Sequence, residues 1–291
     1  MRSLGRSFGA AQPGTGVGYL LNDLELLYSP SATALLLQRS ARPGGNLATY
    51  FVGDPVFSCR DPRWPRQAER RPVRESSSDL SRMGVAGLYD RSLGSGTGCA
   101  ETTWPRLAKT AELAGRLDGL FPGRVQESLG LAATETGVGR TDLSKFRYLV
   151  FATHGAQGDA LPVGEPALVL TQVGNADPDD GFLTQSEVST LVLDADVVAL
   201  IACDTAIGHL QRGEGVLGLG RAFQHAGARN VLVSLWPVAE EAAVLLAAGF
   251  FSRIRDGAIP SLALRQAKLD LRAHGFEHPF YWAPFILVGT N

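Results

Sequence analysis

The apolar positions of this chain fall into two patterns that alternate along most of its length. Short runs such as RYLVFATHG (147–155) and DVVALIAC (196–203) are almost continuously apolar, which predicts buried strands. Longer stretches such as AEEAAVLLAAGFFSRIRDG (239–257) predict amphipathic helices. The predicted strands span 48–55, 124–130, 147–155, 167–171, 196–203, 229–236 and 281–290, and the predicted helices span 104–123, 132–146, 184–191, 213–228, 239–257 and 260–275. Thr184 and Glu187 predict a capping box at the start of the helix over 184–191.

The alternation of strands and helices indicates the fold class. Strands that are apolar on both sides are typical of a parallel sheet covered by helices on both faces. The sequence therefore predicts an α/β fold with a mostly parallel central sheet. In open sheets of this kind, functional residues gather at the carboxyl ends of the strands.

Composition is that of an ordinary globular protein. Of its 291 residues, 45% are hydrophobic and 19% charged, and the formal net charge is −2. We therefore expect no nucleic acid and no membrane as partners, and no apolar stretch of about 18 residues predicts a membrane helix. Cys59, Cys99 and Cys203 form no CxxC pair, so we expect neither a zinc site nor a disulfide framework. Reduced thiols and a start without a signal peptide favour the cytoplasm.

Two segments depart from the alternating pattern. Residues 1–18 are glycine-rich and predict a poorly ordered N-terminal segment. Residues 56–105 lose all periodicity and are rich in Arg, Ser and Gly, which predicts a mobile insertion with few buried residues. This insertion is either a solvated variable loop or a segment that the protein itself cleaves. The remainder, 19–290, is expected to form one domain, beginning with a strand or hairpin and a helix over 19–40.

Candidate chemistry lies where two of the predicted central strands end. His154 ends the first strand and Cys203 ends the second. An imidazole beside a thiol lowers the thiol's pKa or accepts its proton, which makes the sulfur a nucleophile. Gly155 leaves room for a substrate after the histidine, and Asp204 indicates a solvated strand end after the cysteine. The competing interpretation is a buried, inert cysteine and a structural histidine.

Two other kinds of site are less consistent with the sequence. Gly213, Gly215 and Gly218 match GxGxxG, but residues 204–212 separate them from the strand, whereas a dinucleotide site needs the first glycine at the strand's end. We interpret these glycines as allowing the helix to pack closely against the sheet. No other histidine is spaced with an acid or a second histidine as a metal pair would be. We therefore expect no metal and no cofactor.

Several long motifs together resemble one known family. The motifs YLVFATHG, GFLTQSEVSTLVLDADVVALIACDTAIG, GEGVLGLGRAFQHAGARNVLVSLWPVAEEAA and HPFYWAPFILVGT resemble the CHAT domain, a caspase-like family similar to separases. The resemblance covers residues 19–290 except the insertion. It implies a caspase-like three-layer α/β/α sandwich. In two respects the chain departs from the family: only 18 residues precede the YLL stretch, and Ile201 stands where many members have Ser.

The resemblance also implies a function. It identifies a cysteine endopeptidase with His154 as general base, Cys203 as nucleophile, and the backbone amides of Gly155 and Cys203 as the oxyanion hole. Similarity to the separase LW-containing segment sets Glu240 at the position of an acid that binds a basic substrate side chain, with Asp204 as the second candidate. Expected partners are a protein or peptide substrate and a repeat-bearing or effector protein. The alternative is a catalytically silent interaction or regulatory module.

Overall fold

Short apolar runs of the sequence form the central sheet. The computed structural model describes residues 19–29, 48–65, 104–158, 161, 163–175, 179–201 and 214–289. Within these residues, six strands form the main sheet: β1 (Thr49–Gly53), β2 (Val125–Leu129), β3 (Tyr148–Ala152), β7 (Val197–Leu200), β8 (Asn230–Ser234) and β9 (Phe285–Val288). Their order across the sheet is β2-β1-β3-β7-β8-β9. All neighbours are parallel except β8 and β9.

Helices cover both faces of this sheet. Alternate residues of each strand point to opposite sides, so each face carries its own apolar cluster. On one face the sheet packs against α1 (Ala108–Leu120), α5 (Glu240–Arg255) and α6 (Pro260–Ala273). On the other face it packs against α2 (Glu135–Arg140), α3 (Gln185–Thr190) and α4 (Glu214–Ala226). The predicted fold class, an α/β/α sandwich with a mostly parallel sheet, is confirmed.

A small antiparallel sheet lies beyond the end of β3. Its three strands among the described residues are β4 (His154–Ala156), β5 (Ala167–Val169) and β6 (Phe182–Thr184). The sequence predicted one strand over 147–155, but the chain leaves the main sheet at Thr153. The Thr153 hydroxyl donates to the Val169 carbonyl, and His154 pairs with Val169. The break places His154 in a separate sheet.

Other local predictions had mixed outcomes. The capping box of Thr184 and Glu187 is confirmed at the start of α3. The predicted strand over 281–290 begins late, because Pro279 opens a short helix, α7 (Pro279–Trp282), whose first turn the His278 side chain caps. Gly218 of α4 lies against the Gln185 side chain of α3. The close approach predicted for this glycine is therefore to a helix rather than to the sheet.

The segment predicted as a mobile insertion begins with buried residues. Val56 and Phe57 are buried, and Trp64 lies against Gly174. These side chains anchor the start of the segment on the domain, whereas the residues of 56–65 other than Val56 and Phe57 are at least partly exposed. The mobility of the insertion stays a prediction. Residues 1–18 and 66–103 lie outside the described residues.

Residues 19–29 pack against the edge of the sheet and α6. Residues Leu20–Asn22 form a 3₁₀ turn, and Tyr28 makes a single parallel bridge to Val288. Arg265 of α6 donates to the Leu21 carbonyl at 2.8 Å. The helix predicted after this segment lies outside the described part of the chain. None of the described helices has the length and apolar character that a membrane span requires.

Candidate active site

Two neighbouring parallel strands end together at the carboxyl edge of the main sheet. Phe151 of β3 lies opposite Leu200 of β7, and the Ile201 amide donates to the Phe151 carbonyl at 2.9 Å. In the sequence, His154 follows Phe151 by three residues and Cys203 follows Leu200 by three. Cys203 and Asp204 lie outside the described residues, so their part in the site stays a prediction.

His154 is fully buried in β4. Its Nε2 lies 2.7 Å from the backbone carbonyl oxygen of Pro105. Because a carbonyl oxygen can only accept a hydrogen bond, Nε2 donates, and the neutral ring then carries its lone pair on Nδ1. A histidine held in this tautomer is able to accept a proton at Nδ1.

Two aromatic side chains flank the imidazole. The ring centroid of Phe57 lies 5.1 Å from that of His154, and the Trp104 centroid lies 5.3 Å away. These rings shield the imidazole from water and fix its plane. Sequence reasoning missed both, because it assigned 56–105 to a solvated insertion. The signal that was available is their type: large aromatic residues are rarely left exposed in a loop.

A buried carboxylate lies at the end of the adjacent strand. Asp54 follows β1 directly and is 3% exposed. Its two carboxylate oxygens accept from Nε and one terminal nitrogen of Arg106 at 3.0 and 2.7 Å, and Arg63 lies 2.8 Å away. The Asp54 amide donates to the Thr110 hydroxyl at 2.8 Å. Sequence reasoning missed this group as well; its only signal was a lone acid between a strand and a proline.

Gly155 lies in β4, directly opposite Leu168 of β5. It follows the catalytic candidate His154 without an intervening residue and is buried. The other expected oxyanion donor is the amide of Cys203, which lies outside the described residues. The role of Gly155 as an oxyanion donor therefore stays a prediction.

Glu240 lies at the start of α5 and contacts the start of α1. Its Oε1 accepts from the backbone amides of Lys109 at 2.5 Å and Thr110 at 3.2 Å. Burial raises the pKa of Glu240, and these two hydrogen bonds oppose that rise. One carboxylate oxygen therefore caps α1, where the helix dipole favours negative charge. A role in binding substrate remains a prediction for this residue.

A comparison with protein families identifies the chain. The family model described as CHAT domain matches residues 7–290. The chain belongs to the CHAT domain family. The resemblance seen in the sequence motifs is thereby confirmed.

Relatives of this CHAT domain include two much longer proteins. Tetratricopeptide repeat protein 28 of Homo sapiens is 37% identical over 111 residues, which make up 38% of this chain and 4% of that protein. The protein of the same name from Mus musculus is 32% identical over 135 residues, which make up 46% of this chain and 6% of that protein. The matched stretch thus spans a small fraction of the length of these relatives.

Among solved structures, the Arg-specific cysteine proteinase gingipain R is similar to the CHAT domain at a TM-score of 0.45 and 7% identity. The alignment covers 84% of this chain and 46% of the gingipain chain. A likeness this distant carries no argument about the site.

One cysteine of the CHAT domain differs from expectation. Cys59, in the loop after β1, forms a disulfide whose partner lies outside the described residues. The prediction of free thiols is therefore wrong at this position. Among the described side chains, no cluster of His, Cys, Asp and Glu is arranged to hold a metal ion.

Proposed function

We propose that this CHAT domain is a cysteine endopeptidase in which Cys203 is the nucleophile and His154 the general base. The observation that carries the proposal is the hydrogen bond from His154 Nε2 to the Pro105 carbonyl, which directs the ring's lone pair to Nδ1. The strand before His154 is also the direct neighbour of the strand that leads to Cys203.

The proposed reaction follows from these two groups. His154 Nδ1 takes the proton of the Cys203 thiol, and the sulfur attacks the carbonyl carbon of a peptide bond. The resulting imidazolium gives this proton from Nδ1 to the leaving amine, and an acyl-enzyme remains. Water then attacks the acyl carbon, loses a proton to His154, and releases the carboxylate product and the thiol.

Two backbone amides are proposed to stabilise the negative oxygen that forms during attack. They are the amides of Gly155 and Cys203, as the family resemblance implies. Removing one donor of such a pair typically costs about 3 kcal/mol of transition-state stabilisation. Burial of β4 supports this role for Gly155, because a dry site strengthens hydrogen bonds to a developing charge.

The proposed substrate has a basic residue at the cleaved position. Glu240 and Asp204 are the candidate acids, and a carboxylate binds a guanidinium through charge-assisted bonds. Glu240 uses Oε1 for α1, so Oε2 is the atom we propose for the substrate. We expect Arg to be preferred over Lys, and Asp to be rejected.

A second candidate is a catalytically silent interaction module. The relatives named as tetratricopeptide repeat proteins favour this candidate, because in them the matched stretch is a minor part of a repeat-bearing chain. In either case we propose a repeat-bearing or effector protein as a partner.

A peptide-library assay separates the two candidates. The full chain is incubated with a library of peptides that vary at the cleaved position, in parallel with the Cys203→Ala variant. The peptidase proposal predicts cleavage after Arg by the wild type and none by the variant. Equal product from both proteins, or none from either, would favour the silent module.

A further inference from the structure

Asp54 occupies a strained and buried position beside the candidate site. Its φ is 44°, in the left-handed region that few residues other than glycine, asparagine and aspartate adopt. It lies at the carboxyl end of β1, the strand next to β3 on the side away from β7. A residue persists in a strained backbone conformation only where the surrounding contacts hold it there. For Asp54 these contacts come from two segments.

Asp54 holds the segment Trp104–Thr110, here named the strap, at two points. The Arg106 side chain donates a hydrogen bond to each carboxylate oxygen, and the Thr110 hydroxyl accepts one from the Asp54 amide. Pro105, whose carbonyl accepts from His154 Nε2, lies directly before Arg106. The strap also supplies the Trp104 ring that packs on the imidazole.

The same carboxylate also binds the loop that carries Phe57, the second aromatic residue that packs on the imidazole. Arg63 binds the Asp54 carboxylate at 2.8 Å and donates to the Asp54 carbonyl at 2.8 Å. It also donates to the Pro55 carbonyl and binds Asp61 at 2.6 Å. These contacts close the loop 55–61, which carries Phe57 against His154.

We propose that Asp54 is a positioning residue that sets the orientation and tautomer of His154 by anchoring both segments that contact its ring. Its effect on catalysis rests on the proposed peptidase function, whereas its effect on the histidine does not. Arg106 carries the linkage to the strap and Arg63 carries the linkage to the loop. Neither arginine nor Asp54 hydrogen-bonds the imidazole itself among the described contacts.

Charge and geometry explain why a carboxylate suits this position. A guanidinium grips a carboxylate through two parallel bonds, which fix direction as well as distance. Glu240 adds a second anchor by accepting from the Lys109 and Thr110 amides at the far end of the strap. The Pro105 carbonyl thus directly precedes a stretch that two acids anchor, Asp54 at Arg106 and Glu240 at Lys109 and Thr110.

The tautomer of His154 is the most direct readout. Ring ¹⁵N correlation spectra of the full chain, assigned with His154→Gln, should show the Nε2–H tautomer in the wild type. Arg106→Gln removes the ion pair between the strap and Asp54. The Arg106 side chain is 45% exposed, so the substitution leaves the core intact. We expect this variant and Asp54→Asn to shift the His154 signals towards a mixture of tautomers. Arg106→Lys, which keeps one charged donor, should recover part of the wild-type signal.

A matched control separates positioning from general loss of charge. Asp142→Asn breaks a similar ion pair, 2.9 Å from Lys145, at an exposed site away from the strap. Its His154 spectrum should equal that of the wild type. If Arg106→Gln and Asp54→Asn also leave the His154 spectrum unchanged, while thermal unfolding shows them folded, the proposal is overturned.

Kinetics add a second and separable readout. Displacing a catalytic group by about 1 Å typically lowers the rate about 100-fold. We expect Arg106→Gln to lower kcat by about 10- to 100-fold with little change in KM. If the wild type cleaves nothing but the spectra change as described, the peptidase proposal fails and the positioning role stands. If kcat is unchanged and the spectra are unchanged, the positioning role fails and the peptidase proposal stands.

Discussion

Phe151 and Leu200 lie opposite each other in adjacent parallel strands, and each is followed three residues later by a member of the proposed dyad. From this relationship we predict that Cys203→Ala abolishes peptide cleavage, because no other group replaces the sulfur nucleophile. His154→Ala should lower kcat by about 100-fold or more, the usual contribution of a general base. Cleavage rates measured with an Arg-containing peptide test both variants. Wild-type rates for Cys203→Ala would show that another residue is the nucleophile.

Glu240 is predicted to have two separable roles, and two substitutions distinguish them. Glu240→Gln keeps an oxygen that accepts from the Lys109 and Thr110 amides but removes the charge. It should lower kcat/KM for Arg substrates by about 10-fold or more, as expected when a charged hydrogen bond is lost, and spare the reactivity of Cys203 towards a small thiol reagent. Glu240→Ala should in addition lower the free energy of unfolding by about 1 kcal/mol, because α1 loses its cap. A library profile that keeps its Arg preference in Glu240→Gln would remove Glu240 from the specificity site.

The raised pKa of Glu240 gives this preference a pH dependence. Burial favours the neutral carboxyl, so the charge that binds a basic side chain is lost at a higher pH than for an ordinary glutamate. Selectivity for Arg over an apolar residue should therefore decrease as pH falls through the raised pKa. Measurement of both kcat/KM values across acidic pH checks this, and Glu240→Gln should show no such decrease.

Because Lys268 of α6 is buried, we predict that the free energy of unfolding rises at alkaline pH. Burial lowers its pKa from 10.5 to about 8. Below pH 8 the folded protein bears the cost of a buried charge, and above pH 10.5 the group is neutral in both folded and unfolded states. The free energy of unfolding should therefore rise with pH between these values, by about 3 kcal/mol from this group. Urea unfolding from pH 7 to 10.5 should give a flatter profile for Lys268→Met, with greater stability at pH 7. Parallel profiles for the two proteins would contradict this account.

For Glu135 we predict the opposite trend at a lower pH: its contribution to the free energy of unfolding decreases as pH rises. Burial raises its pKa from 4.5 to about 7, against the hydrogen bond from the Gly181 amide and with nearby Asp180 adding to the rise. The stability it contributes is full below pH 4.5 and is lost as pH rises through 7. Glu135→Gln keeps an acceptor for Gly181, so its advantage over the wild type should grow between pH 5 and 7.5 in thermal unfolding. The matched control is Glu127→Gln, at an exposed position of β2, which removes one carboxylate and leaves the contact between Glu135 and Gly181 in place.

Much of the fold could be predicted from the sequence because its signals are local. Continuous apolar runs mark β1, β3, β7 and β8, and the capping pair Thr184 and Glu187 marks the start of α3. The break at Thr153 could not be predicted, because it depends on pairing with Val169, which is distant in the sequence. The run of apolar residues is the same whether the chain stays in one sheet or passes to another.

The candidate site was predicted only in part, for the same physical reason. His154 and Gly155 follow a strand and match a family motif, so local pattern and resemblance point to them. Phe57 contacts the His154 ring and Arg106 binds Asp54, and both contacts join segments that look unrelated in the sequence. An aperiodic stretch rich in arginine also resembles a solvated loop, whether its arginines face water or grip a buried acid.

The central claim is a Cys203 sulfur activated by His154, and labelling with a peptidyl electrophile carrying Arg tests it most directly. Wild type, His154→Gln and Cys203→Ala are treated with the probe under a reductant, and the modified peptide is located by mass spectrometry. The chain has three cysteines, so the position of the label is part of the result. The account predicts rapid labelling of Cys203 in the wild type, about 100-fold slower labelling in His154→Gln, and none in Cys203→Ala. Labelling of Cys203 at equal rates with and without His154, or labelling confined to Cys59 or Cys99, would contradict it.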